Sequence, residues 1–509
     1  MRHGSQIRGL ALALAISACG QVEERPRSDD ALTLLLPREP QEIDPRFTGD
    51  AYGLRVSRLL FASLVTLDPH SLEVVPDLAE EVQVESPSRY RVRLRPGLRF
   101  ADGSALDADD VIATYRSVVD PDFGSRYAST YRRIARIEAL DRRSLRFTLH
   151  APHATFLTDL ELPILRAEDR RRHLGLPGAA APVASGPYRL SHREPGRLEL
   201  SQNPHWHGGK PLFPQLRLIV LRDDNTRVLR MLAGAGDLAL NAVPPLLLPL
   251  FEQHGGFRID SAAGLGTTYL GLNLDAPVLS DRRVRAALAH ALDRRQLLEA
   301  KLGGRGRLAR GFLVPGHWAA DEGLPSYDFD PARARALLDQ AGFARDARGV
   351  RLKLTLRVAS DRARLSLARA IAAMLADVGV QVAVRPTESA TLFSDLGKGR
   401  FEMTLLQVPE VVEPHMLSWF FGSDRIPGAG SEGANRWRLR SVALDAALER
   451  GRARIERAER VAAYRQAQRI LAQELPVIPL WHEDVIAVGN ARARAFRTPR
   501  LGRFGTLAR

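Results

Sequence analysis

The sequence predicts an alternating α/β protein of two or three domains, and three observations carry that expectation. A chain of 509 residues is longer than one ordinary core accommodates. Between 352 and 384 the pattern is strand, helix, strand. Leu352, Leu354, Leu356 and Val358 alternate, an apolar-periodic helix covers 364–378, Gly379 stops it, and 380–384 is strand again. Such a unit builds parallel sheets. Around Tyr90, a strand, a turn and a capped helix follow one another. A hydrophobic content of 45% is that of a soluble globular protein.

In chain order, the segment LTLLLP from Leu32 is a buried strand that Pro37 ends. Tyr90, Val92 and Leu94 then alternate with Arg89, Arg91, Arg93 and Arg95, the period-two pattern of a half-buried strand. Pro96-Gly97 and Asp102-Gly103 mark turns. Asp107 caps a helix, with Asp110 three residues on and Val111, Ile112, Tyr115, Val118 and Val119 as its apolar stripe. Further strands are expected at Ser144–Leu149, in a hairpin over 188–200, at 216–221 before a helix at 226–233, and after Gly236-Asp237. Asp281 caps a helix carrying Val284, Ala287, Leu288, Ala291 and Leu292. Asp330-Pro331 starts another that Gly342 stops. A strand at 401–408 and an amphipathic helix at 456–473 complete the pattern.

The N-terminus reads as a targeting segment. Arg2 and Arg8 precede a short apolar run, Leu10 to Ile16, and Ala18 stands before Cys19. Cys19 is the only cysteine, which excludes an intramolecular disulfide framework and a Cys-rich metal site. Residues 20–30 are polar and contain proline, as a tether does. No run of 18 apolar residues predicts a membrane-spanning helix. The net charge of +14 comes almost wholly from arginine, since lysine stands only at 210, 301, 353 and 398. The arginines spread over strand and helix faces with little aromatic interleaving, so solvated faces are expected and nucleic acid is not a partner.

Catalytic motifs fail on context. Gly428-Ala429-Gly430-Ser431-Glu432-Gly433 matches a dinucleotide fingerprint but follows Ile426-Pro427 instead of a strand. His482-Glu483 begins a zinc motif, yet position 486 is Ile. His205 and His207 lack further ligands, and there is no nucleophile elbow. The chain is expected to be no enzyme and to need no cofactor.

Several blocks carry a family resemblance. Pro76-Asp77-Leu78-Ala79-Glu80, Leu94-Arg95-Pro96-Gly97, Phe100-Ala101-Asp102-Gly103 and Asp110-Val111 stand in one order. They are followed by Ala184 to Tyr188, Asn203 to Pro211, Tyr269 to Asn273, Asp281 to Leu288, Tyr327 to Pro331 and Pro476 to Trp481. Together they resemble the peptide/nickel-type solute-binding proteins of ABC importers, over about 32–488. The resemblance implies a type II, two-lobed periplasmic-binding-protein fold that closes on its ligand by hinge motion. Residues 1–18 would be a signal peptide, and 19–31 a lipidated cysteine and tether. Lobe I would take 32–265, with an extra subdomain at about 46–175, lobe II would take 266–484, and 485–509 would return to lobe I. The chain would cross between lobes near Gly264-Leu265-Gly266 and near 481–485. A peptide or small polar solute, an ABC permease and a membrane reached through the anchor are the implied partners, with the protein a monomer.

The same resemblance points to Gln407 to His415. In peptide-binding relatives an Ala-Asp-Tyr-x-Asp-Pro run stands here, its first Asp pairing with the peptide ammonium. Glu410 takes the first acid's place and Glu413 the second's, one methylene longer. A structural cap or a solvated loop acid is the competing role for either. His415 is the place where the nickel-binding branch resembles Asp-Pro-His, so a metal chelate is the alternative ligand. Trp419, Asn435, Arg436 and Trp437, with Trp481, can wall a cleft, although a tryptophan serves equally as core. Arg38 and Glu39, after the first strand, and Asn273 complete the expected ligand-facing set.

Ile16-Ser17-Ala18-Cys19 resembles a bacterial lipobox, with Cys19 becoming the lipid-modified first residue. Changing Cys19→Ser is therefore expected to leave the protein unprocessed or to release it from membranes, as cell fractionation would read. Wild-type processing and partitioning in that variant would contradict the lipobox.

Overall fold

In the computed structural model, which describes residues 31–174, 181–408, 410–428 and 433–508, two long strands run through both halves of one sheet. They are Arg258–Leu272 and Val477–Gly489, paired antiparallel, and they form the middle of an 11-stranded sheet. Arg258 to Ala263 pairs with Gly489 to Asp484, and Thr267 to Gly271 with His482 to Val477. The register breaks between Ala263 and Thr267. On one side of that break the ribbon bonds to Leu238–Leu240, and beyond it lie Ala31–Leu36, Gln215–Val220, Arg197–Gln202 and Tyr188–Glu194. On the other side it bonds to Met403–Val408, then Leu352–Ala359 and Val380–Thr387, with Gly306–Leu308 against the second long strand. One sheet therefore serves two lobes.

Direction follows from the pairing. Ala31–Leu36 runs parallel to Gln215–Val220 and Leu238–Leu240, and Leu352–Ala359 runs parallel to Val380–Thr387 and Met403–Val408. Leu238–Leu240 and Met403–Val408 each run antiparallel to a long strand that leads away from the break. The carboxyl ends of both parallel sets consequently point at the crossing, where open α/β sheets bind ligands.

Each lobe has its own core on both faces of its half-sheet, as parallel sheets require. In the first lobe Leu32, Leu34, Leu198 and Leu218 pack on one face and Leu35, Met231, Phe251 and Val488 on the other. In the second, Leu354, Leu356, Leu288 and Ile371 form one core, and Tyr269, Phe401, Trp437 and Tyr464 the other. A separate four-stranded antiparallel sheet, ordered Ala79–Ser86, Arg89–Leu94, Ser144–Leu149 and Ile134–Ala139, stands on the first lobe with a third core around Tyr90, Tyr115 and Phe147.

The local expectations from the sequence meet these elements closely. Arg89–Leu94 buries every second residue. The helix Ala108–Val119 carries the capping box, Asp107 N donating to Asp110 Oδ2 at 2.9 Å. The helices Arg282–His290 and Pro331–Gln340 start at Asp281 and Asp330, whereas the helix expected from 364 begins earlier, at Arg362, behind the cap Asp361. The long strands exceed what periodicity alone suggests, because Gly264, Gly266 and Pro479 interrupt their apolar alternation. The leader, Cys19, Pro409 and residues 429–432 of the glycine-rich run lie outside the described residues.

The crossing depends on Gly264, where a side-chain carbon would overlap the carbonyl of Glu483 on the facing strand. Gly264→Ala is expected to cost about 1–3 kcal/mol in urea unfolding, the usual penalty of overpacking. Gly505→Ala, which meets nothing within 4 Å, serves as the near-neutral control. Equal stability of the two variants would contradict this packing.

Candidate functional site

A cavity of about 680 Å³ opens at the crossing. Asp224 and Leu246 reach it from the first lobe, beyond the carboxyl ends of Gln215–Val220 and Leu238–Leu240. Thr268, Gln407, Trp481 and Glu483 reach it from the second. Glu483 is fixed in place, since its Oε1 accepts from Thr268 Oγ1 at 2.8 Å and from Trp481 Nε1 at 3.4 Å. The start of the Arg362–Asp377 helix closes another side, with Asp361 accepting from Arg364 N at 3.0 Å.

Gln407 leads into the loop 410–415, whose two acids differ sharply. Glu413 is committed: its Oε1 accepts from Arg460 Nη2 at 2.5 Å, and Arg460 in turn lies 4.9 Å over the Trp318 ring. Burial nevertheless pushes the Glu413 carboxyl up to about 7, against the pull of Arg460. Glu410 makes no hydrogen bond to any described residue. Burial raises its carboxyl too, opposed by Arg503, Arg58 and Arg55 of the first lobe. A half-buried acid without a protein donor is free to receive one from a ligand.

His415 lies against the first lobe. Its ring meets that of His153 edge-on at 6.0 Å, and its Nδ1 is buried without a partner. Burial holds His415 down to about 4 and His153 to about 3, with Arg452, Arg133 and Arg460 adding to both shifts and Glu449 opposing that of His415. Among the described residues, no three His, Cys, Asp or Glu side chains are grouped to hold a metal ion.

The other residues singled out in the sequence sit as follows. Arg38 is exposed, and Glu39 Oε2 accepts from Gly196 N in the neighbouring hairpin at 3.0 Å. Asn273 donates to the carbonyls of Gly399 and Phe401 at 3.0 and 2.8 Å. Asn435 is fully buried and donates to the carbonyls of Gly422 and Leu439 at 2.9 and 2.8 Å. Trp437 is core, packed edge-on to Tyr269 at 5.5 Å over Gly271. Arg436 lies 5.3 Å over the Phe393 ring, its guanidinium pKa lowered by burial. Trp419 is 42% exposed, with Arg425 5.9 Å from its ring. Glu410, Glu413 and His415 therefore share one loop, while the two asparagines and Trp437 brace the second lobe from within. Sequence reasoning missed Arg58, Glu161, His153, Arg460 and Arg503. They come from distant helices and loops with no shared spacing, so only the topology brings them to this loop.

Residues 73–426 match the model of the bacterial extracellular solute-binding proteins, family 5 (its middle region). Over 511 residues the chain is 28% identical to di/tripeptide-binding protein 2 of Pseudomonas aeruginosa (strain UCBPP-PA14), covering 95% of this chain and 94% of that one. Two solved structures share the fold. NikA from Brucella suis, in complex with Fe(III)-EDTA, superposes with a TM-score of 0.86 at 23% identity, over 94% of this chain and 99% of that one. The oligopeptide-binding protein AppA from Bacillus subtilis, in complex with a nonapeptide, gives 0.76 at 20% identity, over 94% and 98%.

Burial of the two imidazoles has a pH consequence. A histidine whose folded pKa lies below its unfolded value of about 6.5 gives stability that is complete above that value and lost as pH falls through it towards 4. Glu413 runs the other way, its contribution complete below about 4.5 and lost as pH rises through 7. His415→Gln should therefore flatten the fall in unfolding free energy between pH 6 and 4.5, by about 1 kcal/mol per pH unit. Urea unfolding across that range checks it, and an unchanged slope would place His415 in water.

Proposed function

This chain belongs to the bacterial extracellular solute-binding proteins of family 5, and from that premise we propose that it captures a short peptide between its lobes and hands it to an ABC permease. Members of the family are transport receptors, not enzymes, and they work outside the cytoplasm. The observation that carries the peptide reading is the contrast within one loop. Glu413 has its cation in Arg460, while Glu410 is half-buried at the lobe junction with no hydrogen-bond donor among the described residues. A peptide ammonium would supply that donor, in surroundings where a charge-assisted hydrogen bond is strong. The similarity to a di/tripeptide-binding protein over nearly the whole chain supports the same ligand class.

In this reading the lobes divide at the register break, with 32–265 and 485–509 in lobe I and 266–484 in lobe II. Gly264-Leu265-Gly266 and 481–485 are the hinge. The four-stranded sheet belongs to the extra subdomain, about 46–175. Cys19 carries the lipid anchor, and the receptor acts as a monomer. The chelated-metal reading keeps one observation in its favour, the unpartnered Nδ1 of His415.

The test compares two variants by calorimetry, using di- and tripeptides that raise the melting temperature of the wild type. Glu410→Gln should weaken binding by about 1.5–3 kcal/mol, the worth of a hydrogen bond to a charged group. His415→Ala should change it little, and N-acetylated peptides should bind poorly. A dominant His415→Ala effect, with affinity falling at acid pH, would favour the chelate instead. No peptide response in the wild type would overturn the peptide assignment.

A further inference from the structure

The turn between the short paired strands Val65–Leu67 and Val74–Pro76 carries a strained residue. Leu72 has a φ of +65°. Hairpin turns ordinarily place glycine or asparagine in that left-handed region, where a leucine is disfavoured. The turn itself does not need the side chain. Asp68 Oδ1 accepts from His70 N at 3.0 Å and from Ser71 N at 2.7 Å. Leu72 N donates to Asp68 O at 3.0 Å, and Asp68 N to Glu73 O at 2.9 Å. A glycine would serve these bonds with less strain, so the reason for Leu72 lies outside the turn.

Its neighbours Ser71 and Glu73 are exposed, yet Leu72 is only 5% exposed. It sits in one apolar cluster with Leu67 and Leu501 of the first lobe, Leu265 at the register break and Val314 of the second lobe. Val412 packs against the same cluster. That residue belongs to the loop 410–415, two positions from Glu410, and its carbonyl accepts from His317 Nε2 at 2.8 Å. Two polar links run beside the cluster. Arg500 donates to Ala263 O at the break at 3.2 Å, to Pro315 O of the second lobe at 3.4 Å and to His70 O of the turn at 3.5 Å. Glu73 pairs with Arg457, which lies 5.5 Å over the Trp318 ring, and Arg460, the partner of Glu413, lies 4.9 Å over that same ring. The turn thus reaches the loop by an apolar route ending at Val412 and a charged one ending at Glu413.

We propose that Leu72 is a positioning residue: a key on the first lobe that enters the junction as the lobes meet and seats the loop carrying Glu410, without touching the solute. Val314 and Val412 belong to the second lobe, so the burial of the key is complete only when the lobes are together. The apolar surface then removed from water offsets the strain of its backbone. Apparent affinity scales with the fraction of protein in the binding-competent arrangement, and the key raises that fraction. That the loop holds a solute rests on the receptor reading above; the seating of the loop does not.

Two measurements on full-length protein keep these apart. The first needs no ligand and follows hydrogen exchange of the backbone amides in 410–415 by mass spectrometry. Leu72→Ala deletes the key and should speed that exchange by about tenfold, the factor matching loss of most of a buried leucine side chain. The strands Arg89–Leu94 and Ser144–Leu149 should keep wild-type protection, which shows that the variant folds. Leu72→Met, of similar volume, should restore slow exchange. Leu140→Ala, at an exposed leucine of the same subdomain, should change nothing. The second measurement is calorimetry with a set of unblocked di- and tripeptides, whose affinity should fall about tenfold in Leu72→Ala and recover in Leu72→Met. Wild-type loop exchange in Leu72→Ala, or fast exchange that Leu72→Met fails to slow, overturns the proposal whatever the protein carries. Faster exchange with unchanged peptide affinity overturns the link from key to solute. If the wild type binds none of the peptides, the receptor reading fails and exchange alone decides the role of Leu72.

Discussion

The ladder between Arg258–Leu272 and Val477–Gly489 is the only strand pairing, among the described residues, that both half-sheets share. Everything else about the site follows from it. Because the ribbon runs through both lobes, it fixes the direction of every strand beside it, and so aims the parallel carboxyl ends at one place. Because its register breaks between Ala263 and Thr267, the ladder is interrupted where the lobes meet. A continuous ladder would resist bending there, since several backbone bonds would have to yield together. Leu265 is buried there among Leu67, Leu72, Val314 and Leu501, and the glycine on either side of it gives the backbone the freedom to change angle.

Charge also links the two lobes. The loop 410–415 belongs to the second lobe, yet Arg58, Arg503 and Arg55 around Glu410 and His153 against His415 belong to the first. Contacts of this sort exist only while the lobes are together: Glu73 pairs with Arg457 at 3.0 Å, and Ala154 N donates to Arg452 O at 3.2 Å. Apart, each group is solvated at no cost. Together, the acids resist ionisation and the imidazoles resist protonation. A ligand bearing the missing charges would shift the balance towards the joined form, which is how a solute stabilises a closed receptor without chemistry.

Much of the fold was legible in the sequence because its signals are local. Asp107 with Asp110, Asp281, and Asp330 before Pro331 each mark a helix start through hydrogen bonds made within a few residues. The alternation of Arg89–Leu94 marks its buried face directly. The site was legible only in part. The family resemblance led to Glu410, Glu413 and His415, but Asn273, from one of its motifs, and Asn435 and Trp437, expected as cleft walls, turn inward to backbone carbonyls and core. Nothing in the spacing of Asn435 distinguishes a ligand donor from a brace; only its burial does. The arginines around Glu161 were invisible for the opposite reason. Arg58, Glu161 and Arg503 are 103 and 342 residues apart in sequence, so no local pattern links them.

Two lobes joined by one ribbon are proposed to close on a peptide. Native mass spectrometry of the full-length protein, freshly purified from the compartment where it works and then denatured, tests this most directly. A co-purified mass in the range of a short peptide is expected, released on unfolding and replaceable by added di- or tripeptides. Protein that carries no such mass, takes up none of the added peptides, and shows an unchanged radius of gyration in their presence would contradict it.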